Sequence, residues 1–249
     1  MMIKPPIVGN TALNTMLLML FAFGTSMITA VLGLGGGLIL IALMPGLLPA
    51  IAVIPVHAAT QLVSNTSRAL FAWREIRWEF VVSFLAGSIL GGLLAAKIAA
   101  WMNLDYIPLC IAAFILWNVW GGGIQFKANP KGEFLTIGFI QTGMGMLSGA
   151  TGPLGQSTLV RKGLMRDEIV ATSSVFMSIT HLIKVGLFGF IGFSFADYWQ
   201  VTLCMMLGVI AGTWLGTRLR HRVPDERFRW WLKWLLTLLA VRIIIQTLW

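Results

Sequence analysis

Long apolar runs alternate along the chain with short polar or charged clusters. Eight such runs fall at about 12–45, 50–72, 79–100, 104–122, 134–160, 168–191, 196–219 and 228–248. A hydrocarbon layer of about 30 Å takes about 20 residues of α-helix, so most runs have the length of one crossing. None alternates apolar and polar residues with a period of two, and a backbone in lipid must close its hydrogen bonds as a helix or a barrel. The pattern predicts an all-α, polytopic membrane protein of about eight helical segments. Lys4 and the apolar run from Leu17 superficially resemble a secretory leader. No small-x-small cleavage signal closes that run, so an uncleaved first membrane helix is expected.

The first and fifth segments are too long and too rich in glycine for plain spans. They contain Gly33-Leu34-Gly35-Gly36-Gly37 and Gly149-Ala150-Thr151-Gly152-Pro153-Leu154-Gly155-Gln156. Irregular backbone at membrane depth is tolerated only where protein buries it or where it lines a wet cavity. Both segments are therefore expected to be broken helices.

The same features suggest a duplication. Gly33 and Gly36 match Gly149 and Gly152, while Ala58, Gln61, Asn65 and Arg68 fall against Ala171, Ser174, Ser178 and His181. Gly87, Gly91, Ala95 and Lys97 match Gly208, Gly212, Gly216 and Arg218, each a ridge of small residues ending in a cation. These ridges could pack within one chain or between protomers of a homo-oligomer. The expected units are two four-helix repeats, 1–122 and 123–249. Four crossings each would relate them by an axis along the membrane normal, whereas a re-entrant break would invert one against the other. Loop charges give the orientation. With eight plain crossings, Lys97, Arg161, Lys162, Arg166, Arg218, Arg220, Arg222, Arg227 and Arg229 share the cytoplasmic side. Lys4, Arg74, Arg77, Lys127 and Lys131 lie opposite, with both termini outside.

Composition agrees with the pattern. The 249 residues are 57% apolar and 11% charged, against about 45–50% and 25% in soluble domains, so little of this surface is built for water. The net charge of +9 sits between apolar runs rather than along one solvated face, which fits topogenic loops and no nucleic-acid partner. Cys110 and Cys204 lie in apolar runs without redox or metal spacing and are expected in the core. The tryptophans of 228–249 read as interfacial anchors.

The chemistry concentrates in two segments. His57, Gln61, Ser64, Asn65 and Arg68 stack on one helical face, and Thr60 is close by. Thr172, Ser173, Ser174, Ser178, His181 and Lys184 form a second stripe. Arg68 and Lys184 could snorkel to the interface, and Arg68, near its helix end, is expected to do so. Polar groups in hydrocarbon normally face a bundle interior or wet cavity, so the stripes are expected to share one site. Half-helix amino ends at the breaks favour anions, and the acidic residues all fall near loops, which argues against a cation pathway. No nucleophile elbow, HExxH or P-loop occurs. The Gly33 run ends on Leu38 without a βαβ context, and three scattered histidines, one of them His221 in a basic loop, make a poor haem site. Neither catalysis nor a cofactor nor a metal site is expected.

The glycine run at 33–37 followed by His57-Ala58-Ala59-Thr60-Gln61-Leu62 resembles the TauE/SafE sulfite exporter family, also called the 4-toluene sulfonate uptake permease (TSUP) family. So do Gly149-Ala150-Thr151-Gly152, Arg161-Lys162-Gly163 and Ala171-Thr172-Ser173. The likeness covers nearly the whole chain. Its departures are Pro45, well after the first glycine cluster, and Pro153, inside the second break. The resemblance implies a secondary permease for sulfite, an organosulfonate or another small sulfur anion, in a bacterial inner membrane, and leaves substrate and direction open. With the stripes it nominates Gly35, Gly36, Gly37, His57, Thr60, Gln61, Ser64, Asn65, Thr151, Gly152, Gln156, Ser173, Ser174, Ser178 and His181 as substrate-binding residues. His57 and His181 are also candidates for proton coupling. A passive anion channel, or a membrane-embedded binding or assembly partner docking through the basic loop from Arg218 to Arg229, remains the alternative.

Overall fold

The computed structural model describes residues 11–33, 35–99, 101, 104–121, 130–151, 153–219 and 225–248. Among them are ten α-helices and no strand: α1 Thr11–Leu32, α2 Gly36–Leu43, α3 Ala50–Phe71, α4 Trp78–Ala99, α5 Ile107–Trp120, α6 Pro130–Ser148, α7 Pro153–Arg161, α8 Arg166–Phe190, α9 Trp199–Leu219 and α10 Asp225–Leu248. The eight segments are all present, and the first and fifth are each split in two. The expected boundary at residues 122 and 123 lies outside the described residues, as do Lys4, Lys127, Gly152, Arg220, His221 and Arg222.

Among the described residues five helices are long and apolar enough to cross a membrane: α1, α4, α8, α10 and the α9 segment. α3 has the length of α1, but its stripe of His57, Gln61, Ser64, Asn65 and Arg68 lowers its hydropathy. Leu90, Leu93, Leu94, Leu207 and Leu238 are exposed, whereas Ser26, His57, Gln61, Thr142, Thr180 and Lys184 are buried beside an apolar core. An apolar exterior suits lipid as the surrounding solvent.

Both broken segments are hairpins. α1 ends at Leu32, and Gly33 and Gly35 beyond it take positive φ of 83° and 94°, a conformation that glycine adopts without the penalty of a Cβ. The chain then reverses. Gly36 lies against the Thr25 carbonyl, and eleven residues on, Asn14 Nδ2 donates to the Leu47 carbonyl near the start of α1. The second hairpin repeats the design: Gly149 has φ 84°, Gly155 N–H donates to Gln141 Oε1 at 2.8 Å, and Arg161 returns to Glu133 at the start of α6. Each hairpin adds a return stroke, and the contacts between helices give their directions. α1 lies parallel to α9, with Gly208, Gly212 and Gly216 against Met19, Phe23 and Met27. α4 lies parallel to α6, with Gly87 and Gly91 against Leu135 and Phe139. α3 and α8 are antiparallel, as shown by the His57–His181 ring contact at one end and the Arg77–Glu168 ion pair at the other. The small-residue ridges thus pack inside the chain.

The return strokes also re-sort the basic residues. Arg166 Nη2 donates to the Val31 carbonyl at the end of α1, and Arg77 reaches Glu168 at the start of α8. Arg74, Arg77, Arg161, Lys162, Arg166 and Arg218 therefore share one end of the bundle, and Lys97 lies at the other. The two groups expected on opposite sides are largely merged, because eight plain crossings misplace everything after the first hairpin. Cys110 and Cys204 are free and half-buried rather than core.

Glu133 fastens the second hairpin. It is buried and accepts from Arg161 Nη2 at 3.2 Å and Lys162 Nζ at 2.7 Å. Both cations are partly exposed, so the network is worth less than the 3–5 kcal/mol typical of breaking a fully buried pair. Glu133→Gln keeps the shape and removes the charge. It is expected to cost about 1–2 kcal/mol, roughly 2–8 °C for a chain of this size, in thermal unfolding of the detergent-purified protein.

Candidate functional site

The two hairpin tips and the antiparallel pair α3–α8 enclose a cavity of about 60 Å³. Gly33, Gly35, Gly37 and Leu38 line it from the first hairpin, and Ala150 and Gln156 from the second. α3 contributes His57, Gln61, Asn65 and Arg68, α8 contributes Ser173, Met177 and His181, and Thr29 closes the wall from α1. The expected convergence of two stripes and two breaks on one space is realised for these residues.

The α3 stripe forms a connected network. Asn65 Nδ2 donates to the Gln61 carbonyl at 2.8 Å. Arg68 donates from Nη1 to Asn65 Oδ1 at 3.1 Å and from Nη2 to Ser64 Oγ at 3.2 Å. Ser64 Oγ shares a hydrogen bond with Ser26 Oγ at 2.9 Å, and Ser26 with Thr213 Oγ1 at 2.6 Å. The cavity wall is thereby tied through α1 to α9. Arg68 is 6% exposed and does not snorkel: its acceptors on the inner face of α3 lie one turn back, and the cavity supplies the polar surroundings the interface would have offered. Lys184, wholly buried, donates from Nζ to the Gly149 carbonyl at the second break, 2.6 Å away. It does not snorkel either.

The histidines lie edge to face across the cavity, ring centroids 5.7 Å apart. His57 Nε2 lies 3.0 Å from the Gly37 carbonyl, so Nε2 carries the proton and Nδ1 presents a lone pair. His181 is 1% exposed, and among the described residues neither of its ring nitrogens has a hydrogen-bond partner. Buried polar groups normally find one, so a cavity-facing histidine with two idle nitrogens marks a place that a ligand can satisfy. Arg68 is the charged member of the lining, and no carboxylate is among the lining residues.

The model of the sulfite exporter TauE/SafE family matches residues 18–243. The chain belongs to that family. Neither the curated proteins nor the solved structures yield a match. As a family member the chain is a multi-pass membrane protein of a sulfite exporter-type transporter family, and the match takes in both hairpins and both polar stripes.

Other nominated residues of this TauE/SafE chain lie behind the wall. Gly36 packs against Thr25 and Thr29. Thr60 is buried with an idle hydroxyl, and Ser64 serves Arg68 and Ser26. Ser174 and Ser178 donate to carbonyls of their own helix, at Val170 and Ser174, the local back-bonding usual for serine in membrane helices. Thr151 Oγ1 donates to the Gln141 carbonyl at 2.8 Å. The two amino ends also differ. α7 begins with Pro153, which has no N–H, and Gly155 N–H is taken by Gln141. α2 begins after Gly35 with no side-chain cap, leaving its first-turn amides without intrahelical acceptors. Sequence reasoning missed Arg68, Gly33, Thr29 and Met177 as lining; the spacing of Arg68 from Gln61 and Asn65 was the available signal.

Proposed function

We propose that the chain is a secondary transporter of a small sulfur oxyanion, with sulfite as the test substrate, and that the cavity is its binding site. The observation that carries this reading is a cavity holding a guanidinium, an uncapped helix amino end and the idle nitrogens of His181, with no carboxylate among its described lining residues. In surroundings of low dielectric these groups favour an anion. A volume of about 60 Å³ is room for roughly four waters, which suits an inorganic oxyanion better than a bulky organosulfonate. Gly37, Gln61, Asn65, Gln156, Ser173, His57 and His181 are the binding residues under this reading, with Arg68 added to them. Gly35 supplies close approach, and Gly36, Ser64, Thr60, Thr151, Ser174 and Ser178 hold the walls. His57 and His181 are the groups through which protons would couple to the anion.

The halves 1–122 and 123–249 work as inverted repeats in this proposal, a design in which access alternates by rocking one repeat against the other. Support comes from the two hairpins and from the parallel pairs α1–α9 and α4–α6. The end holding Arg74, Arg77, Arg161 and Arg166 faces the cytoplasm by the positive-inside rule, in a bacterial inner membrane.

Labelled sulfite flux into proteoliposomes, with and without a pH gradient, tests the reading. Saturable flux is expected, and Gln61→Ala should lower it at least tenfold. Ser174→Ala, whose hydroxyl is spent on Val170, should leave it within a factor of two. Flux that never saturates would select the channel alternative, and absence of sulfite flux from folded protein would remove the assignment.

A further inference from the structure

A repeated hydroxyl pair sets the register between the halves. Ser26 and Ser64, 38 residues apart, meet between α1 and α3 at 2.9 Å. Thr142 and Thr180, again 38 residues apart, meet between α6 and α8 at 3.2 Å. At the hairpin tips Gly33 N–H donates to Thr29 and Gly149 N–H to Gly145, each four residues back, and both glycines have positive φ. Ser64 therefore corresponds to Thr180, and Arg68, one turn on, corresponds to Lys184. This register differs by three residues from the one read off the sequence, which set Arg68 against His181. Arg68 and Lys184 lie near the carboxyl ends of antiparallel helices, so the two cations occupy opposite ends of the cavity region.

Their surroundings differ where their places correspond. Arg68 also borders a vestibule of about 450 Å³ at the basic end, together with Arg74, Asp167 and Val170; it is a wall shared by vestibule and cavity. Lys184 is sealed, with zero exposure, and its Nζ donates to the Gly149 carbonyl of the break. Among the described residues no carboxylate forms an ion pair with it.

We propose that Arg68 and Lys184 are the paired gate cations of alternating access, one for each side of the membrane; this rests on the transport reading above. In the conformation described, Arg68 stands at the open route from the basic end, while Lys184 locks the opposite route by holding the second break. In the opposite conformation Lys184 releases Gly149 and meets the anion from the far side, and Arg68 closes towards Gly33. The repeat relation demands this exchange, because whatever one half does at one face the other must do at the other face. An anion crossing between them passes from one basic side chain to the next.

Side-specific thiol labelling tests the proposal without needing the substrate. In a Cys110→Ser/Cys204→Ser background, Arg68→Cys and Lys184→Cys are exposed to a membrane-impermeant methanethiosulfonate in right-side-out and inside-out vesicles. Arg68→Cys is expected to react from the basic end only. Lys184→Cys is expected to react from the opposite end only, at least tenfold more slowly, because the state that exposes it is the minor one. Reaction of both from the same side, or of Lys184→Cys from neither, would overturn the gate. Should a cysteine variant not fold, the conservative pair decides. Lys184→Arg, which keeps the cation, should retain sulfite flux within tenfold, while Lys184→Met should lose it at least a hundredfold; equal losses in the two would overturn the proposal. Opposite-side labelling in a protein that carries no sulfite would remove the substrate and keep the gate, and same-side labelling in an active transporter would do the reverse.

Discussion

Gly36→Ala is expected to abolish transport by undoing the first hairpin. A Cβ at Gly36 would overlap the Thr25 carbonyl and the Thr29 hydroxyl. The carbonyl cannot yield cheaply, because α1 is pinned beside it: Ser26 Oγ bonds to the Val209 carbonyl and to Thr213 Oγ1, and the glycine ridge of α9 lies against the same face. Overpacking typically costs about 1–3 kcal/mol. Backbone on backbone puts this substitution at the upper limit, a fall of roughly 6–12 °C in thermal unfolding. Two neighbouring glycines serve as controls. Gly24 sits in α1 with nothing within 4 Å of a Cβ, so Gly24→Ala should leave stability unchanged or raise it by a few tenths of a kcal/mol. Gly37 meets only the Gln61 side chain at ordinary contact distance, so Gly37→Ala should fold normally and lose flux by crowding the cavity. A Gly36→Ala protein that unfolds at the wild-type temperature would show that α2 does not pack along α1 as described.

The contrast among these three glycines shows what the sequence could and could not disclose. The run at 33–37 announces an irregular backbone, since so many residues without a Cβ have little other use inside an apolar segment. It does not say that the chain reverses there. That depends on the positive φ of Gly33 and Gly35 and on a return contact, Asn14 to Leu47, made by residues with no distinctive pattern of their own. The polar stripes were legible because a helical period places His57, Gln61, Asn65 and Arg68 on one face and the cost of burying them demands a shared site. Serine was the least readable member: Ser173 and its neighbour Ser174 both donate to the Val170 carbonyl, yet of the two it is Ser173 that lines the cavity. Arg68 misled for a physical reason. Near a helix end, a long cation ordinarily reaches water, and only the inward acceptors on Ser64 and Asn65, with a cavity beyond them, hold it inside. The register between the halves inferred from the hydroxyl pairs was not readable in the sequence, because small-residue spacing alone matches at several offsets and the hydroxyls of each pair stand on different helices.

Arg68→Met is expected to cut saturable sulfite flux at least a hundredfold, about 2.7 kcal/mol of lost stabilisation, while leaving the fold assembled. The side chain does two things at once. It supplies the positive charge lining the cavity, and its two terminal nitrogens fix Asn65 and Ser64 in the wall. Methionine fills the volume but does neither, and an anion then enters a space whose remaining donors are neutral or partial charges. Lys at the same position separates the two roles. It restores the charge as a point and cannot span both acceptors, since the planar fork is particular to guanidinium, so Arg68→Lys should recover most of the flux with KM raised about tenfold. If charge alone mattered, Lys would equal Arg. If only the wall mattered, Arg68→Gln, which can still donate to one acceptor, would outperform Lys. Flux measured for Met, Lys and Gln at saturating and subsaturating sulfite therefore ranks the two roles. A Gln variant as active as wild type would mean that the anion is held elsewhere, by the α2 amides and His181, with Arg68 as a structural strut.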